Sequence, residues 1–373
     1  MTYSHALRYL TAATSTDQVA AAPPLTVKFP HAPLVLCFTR NQLGSAAAAA
    51  LASVLREAGI GYLHWIDDDT LEPKSRFLMD GRPISPPTLA LHTAHWQAAA
   101  RAQGREPTAA ERCAGVLSLC AAEADCRVIL LESPLSVCHV GLFCAINKRT
   151  RAITLLSDGS TVARTAYHPA TVEIVTPAFG RAMHGLITDI CAQNDCKMVP
   201  IAASATQRTD VTLGAQTILY QAKSGGRVAY RLASASRLAA DAATIALYAI
   251  HSLELRGFAI PDEAVRRGLL GVALPHCGTV YCMQPLILTY AVSSEEELAF
   301  ALSDIQDLPC MQPPPALWSA PSLPALSTNL SLYDQETWPQ DLNYPLLLIG
   351  PSAWIEQKLA ERTRKKGKNN DKI

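Results

Sequence analysis

No stretch of the chain approaches the ~18 uninterrupted apolar residues that a membrane-spanning helix needs. The opening MTYSHALRYLTAA has no basic segment followed by an apolar one, so no signal peptide is expected and the reading is cytoplasmic. Charge is scarce, at 17% of 373 residues, and it cancels: 32 Lys/Arg against 32 Asp/Glu. A net charge of zero gives no general attraction for nucleic acid and argues against such a partner. Cys-x-x-Cys is missing altogether. The eleven cysteines are odd in number and scattered through apolar segments such as VLCF and LFCAI. Cys191/Cys196 and Cys277/Cys282 are too widely spaced for a zinc knuckle, which leaves reduced, buried thiols as the expectation. His92 and His95 lie three apart on a predicted helix and could face one metal, but no carboxylate or thiol completes the set.

What is there is a globular chain, 49% apolar and long enough for two domains with cores of their own. Charge is uneven at the end: residues 358–373 hold seven Lys/Arg against two acids, leaving about −5 on the rest. A solubilising terminus is the plain reading of this tail, and contact with RNA or anionic lipid the alternative.

Period and punctuation give alternating strands and helices. Strands are predicted at 33–39, 61–66, 127–132, 171–176 and 197–202, and helices at 45–58, 88–103, 108–124 and 181–193. Short strands separated by helices imply a mostly parallel sheet covered on both faces. Residues 216–233 interrupt the pattern with a hairpin around Ser224-Gly225-Gly226, followed by helices at 236–256 and 262–271. A smaller unit is expected from Met283: a strand PLILTYAV, a helix at 295–306, a proline-rich loop over 308–324 and a final strand–turn–helix. The prolines of that loop are expected to forbid a helix or central strand. Residues 1–282 are thus read as one domain and 283–373 as a reduced second one ending in the basic tail 362–373.

One short stretch asks for more. PLVLCF, then Thr39-Arg40-Asn41-Gln42-Leu43-Gly44-Ser45, then an alanine-rich helix closed by Gly59, has the outline of a strand–phosphate loop–helix unit. With it, an ordered series of segments resembles the folylpolyglutamate synthase/dihydrofolate synthase branch of the Mur ligase family over nearly the whole chain. Tyr3, Ala6, Leu7, Tyr9 and Leu10 resemble an opening helix Y-x-x-A-L-x-Y-L, and residues 39–45 resemble G-T-N-G-K-G-S. DGRPIS at 80–85 resembles N-G-x-P-I-S, Pro107-Thr108 with Glu111 resembles P-T-x-F-E, and LLE at 130–132 resembles a strand ending in E-V-G. The hairpin and AIPDEAVRRGL at 259–269 follow in family order. The resemblance implies a three-layer, P-loop-like α/β domain of the Mur ligase central type, with a β-hairpin insertion and a shortened α/β C-terminal domain.

In that family ATP phosphorylates a carboxylate and the amine of glutamate attacks the acyl phosphate. Five features serve the reaction, a phosphate loop with lysine, magnesium ligands, a carbamylated lysine, an Asp-His pair and a D-G-A-H-N-P loop in the second domain, and here each is altered. In the loop, Leu43 stands where the lysine belongs, and Thr39 and Gln42 replace glycines. Glycines let amides approach phosphate oxygens and lysine neutralises them; losing one such group typically costs roughly 3–4 kcal/mol in a transition state. Arg40 could reach a phosphate, and Gly44 and Ser45 at a helix start could still hold an anion weakly. Of the magnesium ligands, Glu132 remains; Ile66-Asp67-Asp68-Asp69 replaces T-S-P-H, so Asp67 with Glu132 offers a metal pair, a water-exposed acidic loop being the alternative. The Asp-His pair falls on Arg181-Ala182, with His184 close by, and the carbamylated lysine falls on Asn194. The adenine-contacting H-Q-x-x-N-A resembles Arg237-Leu238-x-x-Asp241-Ala242, and D-G-A-H-N-P falls on Thr289–Ser294.

Positions that build the fold keep their type, whereas positions that would touch ATP, metal or glutamate change chemistry. Apolar strands tolerate replacement and phosphate loops do not. The expectation is a non-catalytic binding or regulatory relative with no cofactor. Arg40, Asn41, Gly44 and Ser45 would outline a vestigial nucleotide site, and Glu132 and Asp67 a metal site. Its partner would be an active paralogue, another protein or a small ligand in the old cleft. The alternative is a residual ATP- and Mg-dependent ligase joining glutamate to a carboxylate such as a folate, worked by Arg40, Asp67–Asp69, Glu132 and His184.

Overall fold

The computed structural model describes residues 32–67, 76–84, 104, 109–122, 125–133, 140, 143, 147–157, 170–177, 180–212, 214–222, 225–272, 274, 277–284, 286–292, 295–307, 316–323, 331–333, 338 and 344–370. The opening helix at 3–10, the helix at 88–103 with His92 and His95, Asp68, Asp69, and Ser293 and Ser294 lie outside them. The chain forms two compact units, Met1–Ala205 with Ala242–Leu269, and Thr206–Asp241 with Leu270–Ile373, where the sequence suggests a division at 282/283.

The first unit is built on β1 (Leu34–Thr39), α1 (Gln42–Glu57), β2 (Gly61–Ile66), β3 (Phe77–Met79) and β4 (Arg82–Pro83). These are followed by α2 (Ala109–Ala122), β5 (Cys126–Ser133), β6 (Arg151–Leu155), β7 (Thr171–Thr176), α3 (Arg181–Asn194) and β8 (Lys197–Pro200). The eight strands form one sheet in the order β4-β3-β2-β5-β1-β6-β7-β8. Six are parallel, and the β3–β4 hairpin adds an antiparallel edge. Central strands such as LVLCFT are buried along their length, as strands covered on both faces must be. Val35, Cys37, Leu63, Trp65, Ile129 and Leu131 share one face with Cys113, Val116, Leu117 and Cys120 of α2. By the two-residue period, Leu34, Leu36 and Phe38 point the other way, toward the side on which α1 lies against β1, β2 and β5. Helices α4 (Arg237–Glu254, from Ala242 onward) and α5 (Asp262–Leu270) complete this unit. Gly268 of α5 lies so close to α1 that a Cβ there would sit 2.6 Å from the Val54 Cα.

Sequence and structure agree on the large, mostly parallel sheet and differ in three local places. Helix α1 starts three residues earlier than its alanine run, because Asn41 caps it. Strand β6 and the β3–β4 hairpin are additional; Asp80 and Gly81, with φ of 50° and 78°, make the two-residue turn that suits a hairpin's twist. Asp80 Oδ1 also accepts the Tyr62 N–H at 2.9 Å.

In the second unit the expected hairpin is part of a three-stranded antiparallel sheet, β9 (Thr206–Thr212), β10 (Ala215–Gln221) and β11 (Arg227–Leu232), in the order β11-β10-β9. The other sheet contains β12 (Cys277–Met283), β13 (Leu286–Ala291), β14 (Ala316–Ser319), β15 (Ser331–Leu332) and β16 (Leu346–Gly350) in the order β12-β13-β16-β14-β15. Helices α6 (Glu295–Asp307) and α7 (Ser352–Asn370) belong to the same unit. The expectation that 308–324 holds no interior strand is corrected: β14 pairs with β16 on one side and β15 on the other. Its ALWS window is free of proline, so every amide can join the ladder.

A buried polar network ties the three-stranded sheet and the start of α4 to α6. Asp304 of α6 accepts the Ser236 hydroxyl at 2.6 Å and the Arg237 N–H at 2.7 Å, stabilising the positive end of α4. Arg208 of β9 stands 3.8 Å from the same carboxylate and donates to Gln216 of β10 at 2.7 Å. Among the described residues, no helix is long and apolar enough to cross a membrane.

Candidate functional site

Strand β1 lies where the strand order turns: its chain leads to β2 on one side, while β6 joins on the other. In open α/β sheets, ligands bind beyond the carboxyl ends of the strands at such a point. The segment there is residues 39–45, beside Glu132, whose register partner on β1 is Phe38.

Locally the segment is closed on itself. Asn41 adopts an extended conformation, φ −141° and ψ 174°, and its Oδ1 accepts the Gly44 N–H at 2.7 Å. This is an N-cap, which satisfies one of the amides that a helix start leaves open. The Ser157 hydroxyl donates to the same oxygen at 3.0 Å. Gln42, Leu43 and Gly44 are therefore the first turn of α1. A Cβ at Gly44 would lie 2.1 Å from the Thr39 carbonyl oxygen, so the close pass of the helix start over the end of β1 demands glycine.

Beside the cap sits a buried carboxylate with three donors. Glu132, 2% exposed, accepts through Oε2 from Arg40 Nη1 at 2.9 Å and from Ser45 Oγ at 2.5 Å. Through Oε1 it accepts from His64 Nε2 at 2.7 Å. Arg40 Nη1 lies 2.8 Å from Ser45 Oγ as well, so one guanidinium nitrogen joins hydroxyl and carboxylate. Burial pushes the Glu132 carboxyl upward, but the His64 hydrogen bond and charge, the Ser45 hydroxyl and the Arg40 guanidinium outweigh it and hold it below its ordinary value of 4.5. The group is a carboxylate at neutral pH, and its partners are supplied by the chain.

Asp67 follows β2, and its N–H donates to the Glu132 carbonyl at 2.8 Å. Its carboxylate accepts from Ser133 Oγ at 3.2 Å and faces Arg76 at 3.7 Å and Arg112 at 3.8 Å. Among the described residues, no group of three or more His, Cys, Asp or Glu is placed to hold a metal ion. His184 is exposed on α3, and Asn194 at the end of that helix bonds back to the Ile190 carbonyl at 2.9 Å. In the second unit, burial pushes the Asp241 carboxyl up to about 6; Asp304 adds to this, and Arg237 and Arg208 oppose it.

The structure thus brings Arg40, Asn41, Gly44, Ser45 and Glu132 together, with Asp67 at the neighbouring strand end. Sequence reasoning missed His64 and Ser157. A histidine among the apolar residues of GYLHWI, ending beside a glutamate strand, was the available signal for the first; nothing local marked the second.

No family model matches the chain, and no curated protein matches it by sequence. Solved structures do. The chain is similar to a folylpolyglutamate synthetase from Lactobacillus casei at TM-score 0.64 and 13% identity, with 98% of this chain and 99% of that one covered. The apo form of the L. casei enzyme gives TM-score 0.67 at 13% identity over 98% and 99%. A Mycobacterium tuberculosis folylpolyglutamate synthase complexed with ADP and AMPPCP gives 0.58 at 14% identity, over 85% of this chain and 72% of that one. Identities this low carry the fold and nothing finer: this chain has the two-unit α/β fold of the folylpolyglutamate synthases, the Mur ligase type.

Proposed function

We propose that this chain is a folylpolyglutamate synthase-like protein that no longer catalyses ligation and acts by binding, toward an active paralogue, another protein or a small ligand in the old cleft. The observation that carries this reading is the Arg40 guanidinium, hydrogen-bonded to both Ser45 and Glu132. A phosphate-loop serine and a strand-end glutamate are the groups between which a nucleotide-bound magnesium would sit. Magnesium needs lone pairs at ~2.0–2.1 Å in near-octahedral array. Glu132 Oε2 already accepts two hydrogen bonds, one of them from a fixed positive charge. The donor set does not fit the ion, so no step is derived through magnesium or the nucleotide it would carry. Leu43 supplies no charge in its place, and the Asn41 side chain takes up the Gly44 amide that a phosphate oxygen would need.

A residual ligase remains the second reading, favoured by the Glu132 carboxylate being held ionised at a switch-point strand end. Incubating purified protein with Mg-ATP, folate and glutamate separates the two. Product formation abolished by Glu132→Ala would establish the ligase; the proposal expects no turnover in either protein.

A further inference from the structure

At the other end of the same strands lies a cleft of about 530 Å³, in the size range of small-ligand sites. It is lined by Arg127, Arg149, Arg151 and Arg256, with Phe258 among its apolar residues. The sheet order explains the convergence. Arg127 and Arg151 are at the starts of β5 and β6, the two strands that flank β1, so they stand on either side of Leu34. The starts of neighbouring parallel strands lie side by side, ~4.8 Å apart, which places the two arginines about 10 Å from each other along one edge. The turn before β6 contributes Arg149, and the segment after α4 contributes Arg256 and Phe258. Strand β1 separates this cleft from the 39–45 segment by about 17 Å.

Four guanidiniums around one cleft are unusual in a chain whose charges cancel. Among the described residues, only one carries a compensating acid: Arg256 pairs with buried Glu173 at 2.9 Å, and Glu173 also accepts from Ser252. No described carboxylate lies within ion-pair distance of Arg127, Arg149 or Arg151. Three of the four are nevertheless held in place. Arg256 donates to the Ser252 carbonyl at 2.7 Å, and Arg151 to the Lys148 and Thr150 carbonyls at 3.0 and 2.9 Å. Arg127 lies over the Phe258 ring, 4.6 Å from its centroid. Fixed guanidiniums lose less freedom on binding and present planar forks that match oxyanions.

We propose that this cleft binds a small, multiply charged oxyanion, phosphoryl-bearing or polycarboxylate, with Phe258 and its apolar neighbours accepting an uncharged part of the molecule. The three uncompensated arginines attract it and the guanidinium forks orient it. Nothing in this proposal depends on the state of the 39–45 segment.

Calorimetric titration of the full chain with inorganic pyrophosphate and with citrate, both without magnesium, tests it. At least one anion is expected to bind, and Arg149→Ala and Arg151→Ala are each expected to weaken it roughly tenfold or more, the loss of one charge-assisted hydrogen bond. Arg149 and Arg151 are exposed, and a circular dichroism melt confirms that both variants fold; Arg266→Ala, on the surface of α5, controls for general charge. Pyrophosphate alone would name the phosphoryl class, citrate alone the polycarboxylate class, and both would support the shared chemistry. Absence of heat from either at millimolar concentration overturns the proposal. So does an affinity unchanged by the two cleft substitutions, or one removed by Arg40→Ala instead.

Discussion

Replacing Glu132 with glutamine removes one negative charge at almost constant volume. In the wild type its two oxygens receive Arg40, Ser45 and His64 in a site 2% exposed to solvent. Breaking a buried ion pair from one side costs about 3–5 kcal/mol, because the remaining charge is left without its partner. The Arg40 side chain is 28% exposed, so water recovers part of that loss, and about 2–3 kcal/mol is expected. For a folding unit of this size that lowers Tm by roughly 5–10 °C. Urea and thermal unfolding followed by circular dichroism measure it. The pH dependence carries a second check. A carboxyl held below 4.5 contributes stability that is complete above that value and lost as pH falls through the lower folded-state value. The difference between wild type and Glu132→Gln therefore shrinks at acid pH. A carboxylate kept unpaired for a metal behaves with the opposite sign, since neutralising it relieves strain. A variant as stable as wild type at pH 7, or more so, would refute the idea that the chain itself satisfies Glu132.

Gly44→Ala places a methyl group 2.1 Å from the Thr39 carbonyl oxygen, a backbone atom with no rotamer to yield. The expected loss is about 3 kcal/mol or more in urea unfolding, and a loss under about 1 kcal/mol would show that the helix start is not so tightly placed. Asp241 titrates with the other sign from Glu132. Its folded-state value, about 6 against an ordinary 3.8, means that stability is fullest below about pH 4 and is lost as pH rises through about 6. Asp241→Asn is expected to flatten that profile and to stabilise by about 1–2 kcal/mol at pH 7, allowing for its partial exposure; a wild-type urea midpoint constant between pH 4 and 7 would contradict this.

Elements with strong periodicity were readable in advance, and those without were not. LVLCFT, CRVILLES and TVEIVT announce buried strands by apolar content alone. TQRTDVT of β9 has no apolar face to announce it; the Arg208 network and its β10 neighbour hold it in place. The four residues of β14 hide between prolines because a strand that short has no period to detect. In the site, residue types marked where the chain departs from the pattern it resembles, but not how those residues fit together. That Arg40 reaches Glu132, 92 positions away, depends on β1 and β5 being neighbours, a pairing that local sequence does not encode. The arginine cleft escaped notice for the same reason: its four arginines come from three separate segments.

Calorimetric titration of Mg-ATP into the Arg149→Ala/Arg151→Ala double variant tests the central claim most directly, because it weakens the cleft and leaves the 39–45 segment untouched. With Arg40 bridging Ser45 and Glu132, no heat of binding is predicted at millimolar nucleotide. A magnesium-dependent isotherm in the micromolar range, abolished by Ser45→Ala, would contradict the account.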